Sequence, residues 1–511
     1  MTGMNRSIKR IAIAVLVMFV VLLINVNYLQ AVEPSSLATR PLNDRAAYNQ
    51  NRVQRGNIVT ADGVTVATTK ASAGLYPWQR VYTDGPVYAP VTGYDTVFTA
   101  AQAPNYAGGV ERSEDSLLTG TGSELAFRNF IDTITNKPEK GATVQLTVNS
   151  KAQQVAYQQL AAALTGKTAN GKQTVGGVVA INPTTGAILA MASYPSYDPN
   201  QLAVHSTPDL NQVYQQLSNQ NPSPLINNAS QTTLPPGSTF KIVTSSAWYT
   251  QDAGRNPSTV INSPQPLTLP NGNVLNNDNG EQCGNGSGKT PVAYAFAQSC
   301  NTPFAALGIQ LGGATIKSMA TSYGLNNPAA GSIPGVSVGE SNFTAEADKS
   351  FTAYDAIGQH DTTVTPLQEA MFAATVANGG TLMKPYLVQQ ITAGDLSVVQ
   401  QAQPQQLSQP ISATVAGYEK QMMTDVVQQP EGTGFQFNSN NENGLVIAGK
   451  TGTAQTTTSS NPDAVFTAFA PADNPKIAVG VMIQGGGYGA AAAAPIAVAV
   501  IQAYLATQGN Q

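Results

Sequence analysis

Histidine is almost missing from this chain: its 511 residues include two, His205 and His360. A nucleophile here has few imidazoles to call on and must find its base among other side chains. Cysteine is equally scarce. Cys283 and Cys300 with two scattered histidines do not make a zinc site, so no metal is expected. Charge is thin as well, 11% of residues and a net charge of -4. That leaves no basic patch of the kind nucleic acid needs. The glycine-rich loop Gly485-Gly486-Gly487-Tyr488-Gly489 lacks the Gly-Lys-Ser/Thr ending of a phosphate loop, and no cofactor is predicted.

Long hydrophobic runs are also rare. Arg6, Lys9 and Arg10 precede an uncharged apolar run from Ile11 to Ile24, extended through Leu29 to roughly the ~20 residues that cross a bilayer. The positive flank places the N-terminus in the cytoplasm and the rest outside. Residues 1–32 are therefore predicted to be a tail and single uncleaved anchor, with a signal peptide cut near Gln30-Ala31-Val32 as the other reading. The second-best run, Ala490 to Leu505, is interrupted by Pro495 and is expected to be a closing helix. In an exported compartment Cys283 and Cys300 can be oxidised to a disulfide or remain as two thiols.

Beyond the anchor the pattern changes twice. Residues 33–140 hold short segments broken by Pro and Gly, among them Arg55 to Ala67, which reads as strand, Asp62-Gly63 turn and strand. This smaller domain is assigned scaffolding and no chemistry. Residues 141–511 form the second domain. Its strands are read at Thr143–Val148, Gly177–Asn182, Ala187–Ser193, Leu445–Gly449, Ala464–Ala470 and Lys476–Ile483, with helices between, at Lys151–Leu164 among others. Strands at both ends and helices in the middle predict an α/β (α+β) fold, an antiparallel sheet flanked by helices.

Chemistry concentrates in three segments. Ser238-Thr239-Phe240-Lys241 follows Pro235-Pro236-Gly237, so the serine stands where a turn enters a helix and Lys241 shares its face one turn on. Ser299-Cys300-Asn301 ends the helical stretch Pro291–Gln298, and Lys450-Thr451-Gly452-Thr453 ends the apolar run Leu445–Gly449. Two further Ser-x-Asn matches, at Ser439 and Ser459, lie in polar or misplaced contexts. By itself the first motif reads equally well as a serine capping a surface helix.

In this order the three segments resemble the penicillin-binding proteins and serine β-lactamases. The Arg55 hairpin, Thr363–Gln368 and Ala377–Pro385 look like class B penicillin-binding proteins, and the general layout looks most like the actinobacterial penicillin-binding protein A group. The resemblance implies a peptidoglycan D,D-transpeptidase. Ser238 would attack the D-Ala-D-Ala end of a stem peptide, Lys241 would take its proton, and Ser299 and Asn301 would relay it and hold the substrate. Lys450, Thr451, Gly452 and Thr453 would bind the terminal carboxylate, and the amides of Ser238 and Thr453 would form the oxyanion hole. β-Lactams are expected to acylate Ser238. A separate membrane glycan polymerase is the expected partner, since residues 33–140 are too short for a glycosyltransferase. A D,D-carboxypeptidase, a β-lactamase and a non-catalytic wall or β-lactam sensor are the alternatives.

Overall fold

The computed structural model describes residues 2–31, 52–73, 76–96, 108–125, 140–169, 171–455 and 461–509. The boundary read at residues 32 and 33 lies outside these, as do Ser459 and Ser460. The N-terminal helix, Thr2–Ala31, contains the segment Ile8–Tyr28, exposed throughout, and is the one described helix long and apolar enough to cross a membrane. Such continuous apolar exposure has no counterpart elsewhere in the described chain and suits a lipid environment.

The large domain is built on a five-stranded antiparallel sheet. Its strand order is Ala448–Ala454, Asp463–Ala470, Ile477–Ile483, Gly176–Ile181 and Ile188–Tyr194. The Asp463–Ala470 and Ile477–Ile483 strands are buried at every position. They lack the alternation of a half-exposed sheet because helices cover both faces. Ser150–Leu164 and Ala494–Gln508 pack on one face and Pro366–Ala377 on the other. Asn149 and Thr365 cap two of these helices, each accepting a backbone N–H with its side chain. The strand expected over Leu445–Gly449 instead runs from Ala448 to Ala454. Lys450-Thr451-Gly452-Thr453 therefore lies inside an edge strand, paired with Val465 to Thr467 and Ala464.

A second sheet of six strands runs in the order Val398–Gln401, Val388–Thr392, Thr143–Leu146, Ile58–Val59, Thr65–Ala71 and Trp78–Tyr82. It joins both sequence domains, because the Thr143–Leu146 strand pairs with Ile58–Val59 of the Arg55 hairpin region on one side and with Val388–Thr392 on the other. Beneath it the Arg55 and Arg80 guanidiniums converge on Glu111, at 2.7 and 2.6 Å, while Arg55 also reaches Asp115 at 2.7 Å. Burial alone would raise the Glu111 pKa; Arg80 and Arg55 outweigh it and hold the carboxylate below its usual value.

Candidate active site

The nucleophile segment is a tight 3₁₀ turn, Gly237–Phe240, that runs directly into the helix Lys241–Thr250. Gly237 begins it with φ +55, and a Cβ there would lie 2.7 Å from the Thr453 carbonyl oxygen. Only glycine combines that backbone conformation with that approach. Its N–H donates to the Gly358 carbonyl at 2.8 Å. Phe240 stacks on Phe343 in the core, so Ser238 projects from a turn whose next residues are anchored.

Gly452 answers the same turn from the strand side. A Cβ at Gly452 would fall 2.5 Å from the Pro236 carbonyl oxygen and 3.1 Å from Thr239 Cγ2. The glycine expected to admit substrate thus first admits the turn that carries the nucleophile.

Ser299 is displayed by a helix ending. The helix Val292–Ala297 closes with the Ser299 N–H donating to Phe296 O at 3.1 Å and the Cys300 N–H to Ala295 O at 2.9 Å. That is a Schellman motif, with Ser299 at the left-handed position usually given to glycine; its φ is 62. A side chain there costs about 1–2 kcal/mol. The next helix, Asn301–Leu311, starts at once, and Asn277 from a separate loop caps it, its Oδ1 accepting from the N–H groups of Asn301 and Thr302 at 2.8 and 2.9 Å. Cys283 and Cys300 are joined by a disulfide, which ties that loop region to the Ser-x-Asn turn.

These local structures bring the three motifs together. Lys241 Nζ lies 2.9 Å from Ser238 Oγ, 2.7 Å from the Ser299 carbonyl oxygen and 2.8 Å from Asn301 Oδ1. A neutral amine suits this set: its two N–H groups donate to the two carbonyl oxygens and its lone pair accepts the Ser238 hydroxyl proton. Lys241 is fully buried, and burial first, then the Lys450 charge, pushes its pKa well down; Asp278 opposes. Lys450 is buried too, and burial takes it to about 7. Lys450 Nζ donates to Ser299 Oγ at 2.8 Å and to its neighbour's Thr451 O at 3.0 Å.

One arrangement differs from the sequence expectation. The Ser299 hydroxyl, read as a bridge from Lys241, faces Lys450, and Lys241 is met by the Ser299 carbonyl. The cause is the left-handed turn, which points backbone and side chain of one residue at different lysines. Thr451 is buried with its hydroxyl 2.6 Å from Thr433, while Thr453 borders the cleft.

Two residues were missed by the sequence reading. Glu369, on the helix Pro366–Ala377, lies 2.7 Å from Thr239 Oγ1, which also donates to Pro236 O at 2.9 Å. With one hydroxyl proton facing two acceptors, a protonated Glu369 completes the set by donating to Thr239. Burial raises its pKa to about 8. Asp278, whose carboxylate accepts from Asn301 Nδ2 at 3.2 Å, borders the cleft. Nothing in the spacing of either marks it out.

The cleft over Ser238 has a volume of about 640 Å³ and is bordered by Asn301, Tyr354, His360, Thr453 and Tyr488 among others. Among the described residues one trio, Glu346, His360 and Asp361, brings three ligand-type atoms within 4.8 Å of one another. His360 Nδ1 already lies 3.4 Å from Asp355, and none of the trio is fully buried.

Residues 176–502 match the penicillin-binding protein transpeptidase domain, and residues 55–144 the penicillin-binding protein A dimerisation domain. The chain is 37% identical, over 98% of its length and 99% of the relative's, to the peptidoglycan D,D-transpeptidase PbpA of Mycolicibacterium smegmatis. To the protein of the same name from Mycobacterium tuberculosis it is 36% identical, again over 98% and 99%. The imipenem acyl-enzyme of penicillin-binding protein A from M. tuberculosis superposes with a TM-score of 0.80 at 35% identity, covering 90% of this chain and all of that one. The chain belongs to the penicillin-binding protein transpeptidase family, with that family's transpeptidase fold, a smaller N-terminal domain and one apolar N-terminal helix.

Proposed function

We propose that this protein is a membrane-anchored serine D,D-transpeptidase that cross-links peptidoglycan stem peptides ending in D-Ala-D-Ala and is acylated by β-lactams. The observation that carries the reading is the 2.9 Å approach of a buried Lys241 amine to Ser238 Oγ, with Asn301 and Ser299 completing the lysine's partners. The relatives named above support the substrate class.

Ser238 attacks the penultimate D-Ala carbonyl while its proton passes to neutral Lys241. The carbonyl oxygen becomes an oxyanion, held by the Ser238 and Thr453 N–H groups; one such donor is worth about 2.7–4 kcal/mol in the transition state. Lys241 returns the proton to the departing D-Ala nitrogen, and the Ser299 hydroxyl, which Lys450 polarises, hydrogen-bonds to that nitrogen as it leaves. Lys450 and Thr453 receive the terminal carboxylate, Thr451 is held against Thr433 behind them, and Gly452 keeps strand and turn close. Asn301 fixes Lys241 and hydrogen-bonds the peptide. In the second half-reaction an amine from a neighbouring stem takes the acyl group and Ser238 recovers its proton.

The domain division at residues 32/33 and 140/141, an extracytoplasmic catalytic domain and a separate membrane glycan polymerase as partner belong to the same proposal. The positive flank of the N-terminal helix and its single apolar span favour that topology. The test is release of D-Ala from a pentapeptide stem substrate, with cross-linked product, by the full-length protein. Penicillin labelling has to map to Ser238 and vanish in Ser238→Ala. A protein that labels but never releases D-Ala is a sensor, one that hydrolyses penicillin rapidly is a β-lactamase, and one that yields only tetrapeptide is a carboxypeptidase; each result would refute the transpeptidase reading.

A further inference from the structure

Asp278 is the one carboxylate among the described residues bordering the cleft over Ser238; the other titratable groups there are Tyr354, His360 and Tyr488. The loop that carries it is fixed from several sides. Asn277, the preceding residue, caps the Asn301 helix and donates from Nδ2 to the Glu281 carbonyl at 3.0 Å, and Cys283 is bonded to Cys300. The Asp278 side chain is exposed and accepts one hydrogen bond, from Asn301 Nδ2 at 3.2 Å. An exposed, positioned carboxylate next to the Ser238–Lys241 pair has chemistry left to offer.

That chemistry answers a problem in the second half-reaction. Once the carboxylate-bearing D-Ala has departed, Asp278 is the one carboxylate left bordering the cleft among the described residues. The incoming nucleophile is a primary amine, and such amines are ammonium ions near neutral pH. The fraction of Lys450 that stays charged repels a cationic acceptor. One carboxylate on the wall reverses the local sign.

We propose that Asp278 docks the acceptor amine as its ammonium ion, next to the acyl-serine. This rests on the transpeptidase reading. The docked ammonium releases one proton to solvent, and its nitrogen attacks the ester carbonyl. A C–N bond forms and the bond from that carbon to Ser238 Oγ breaks. The second nitrogen-bound proton passes through Lys241 to Ser238 Oγ. Acyl-serine and ammonium thus become amide, free serine and one proton. Asp278 is a specificity residue in this scheme: it favours amine over water as the acceptor.

The test is how the acyl-enzyme partitions, which is independent of the rate of its formation. Full-length protein turns over a stem pentapeptide with a free side-chain amine, and cross-linked and hydrolysed products are counted; hydroxylamine, neutral at the assay pH, serves as a second acceptor. Asp278→Asn keeps an acceptor for Asn301 and removes the charge. It is expected to lower the ratio of cross-linked to hydrolysed product about fivefold and to leave the hydroxylamine ratio unchanged; Asp278→Glu restores the first ratio. Added salt is expected to lower that ratio in the wild type and not in Asp278→Asn. An unchanged ratio in Asp278→Asn overturns the proposal, and so does an equal fall with both acceptors, which would mean that Asp278 acts only through Asn301 and Lys241. A wild-type protein that yields hydrolysed product alone overturns the transpeptidase reading itself.

Discussion

Under the N-terminal sheet, Arg55 and Arg80 are buried against Glu111 and Asp115; in the cleft, Lys241 and Lys450 are buried with no carboxylate within salt-bridge distance among the described residues. Both regions remove two cations from water. The first answers the desolvation cost with fixed counter-charges, which hold the Glu111 pKa down and the Arg55 pKa up. The second leaves the cost standing, and the lysines meet it by giving up protons. Guanidinium suits the first task because it holds its charge, and ammonium the second because it titrates readily when buried. The same burial yields a scaffold in one place and a base in the other.

The largest effect separates the two directly. Lys241→Met is expected to lower the β-lactam acylation rate by about 1,000-fold while holding or raising the thermal unfolding temperature, since the cost of burying an amine without a counter-charge is removed along with its three hydrogen bonds. Stopped-flow acylation and calorimetry measure both, and a destabilised Lys241→Met would break the comparison. Next in size, Glu111→Ala strands two buried guanidiniums and is expected to cost about 3–5 kcal/mol of stability, seen as early cleavage of the N-terminal region in limited proteolysis. Its acylation rate per folded molecule stays near wild type. Ser299→Gly removes the strain of the left-handed turn together with the hydroxyl near Lys450. Stability holds or rises, and acylation falls by about 100-fold.

The last effect, spread over several pH units, is in pH dependence. Glu369 titrates at about 8 in the folded chain against 4.5 ordinarily, so the folded state keeps a proton that the unfolded state loses. Its contribution is full below pH 4.5 and is lost, at up to about 1.4 kcal/mol per pH unit, as pH rises to about 8. Lys450, lowered from 10.5 to about 7, has the opposite slope: stability increases with pH across that window. Glu369→Gln, which can still donate to Thr239, is expected to remove the Glu369 share of the acid-side loss, leaving that of Glu419, which burial also raises to about 8, and the alkaline gain. Denaturant titrations at pH 5, 6, 7 and 8 would show it, and an unchanged slope would mean that Glu369 is ionised in the folded protein.

Sequence made the cleft legible to the extent that its chemistry is local. Ser238 and Lys241 sit one helical turn apart, and the apolar runs and turn residues around residues 177–193 and 464–483 located most of the central sheet. What stayed hidden depends on distant segments. No spacing announces that the Val388–Thr392 strand pairs beside Thr143–Leu146, or that Asn277 caps a helix starting 24 residues later. Ser299 was found by its motif, yet its division between two lysines follows from the Schellman geometry. Glu369 looked like any polar residue on a helix because its partner, Thr239, is 130 positions away. The edge strand starts three residues later than its apolar run because Leu445 to Ile447 approach the sheet before they pair with it.

The central claim is that Lys241 is an uncharged amine at neutral pH, ready to accept the Ser238 proton. It is tested most directly by ¹⁵N NMR of the lysine Nζ groups in the full-length protein, with the Lys241 resonance assigned by its loss in Lys241→Met. A Lys241 signal in the neutral-amine range at pH 7.5, becoming ammonium only on acidification, is the expected result. A signal that remains ammonium until the pH approaches 10 would contradict the account.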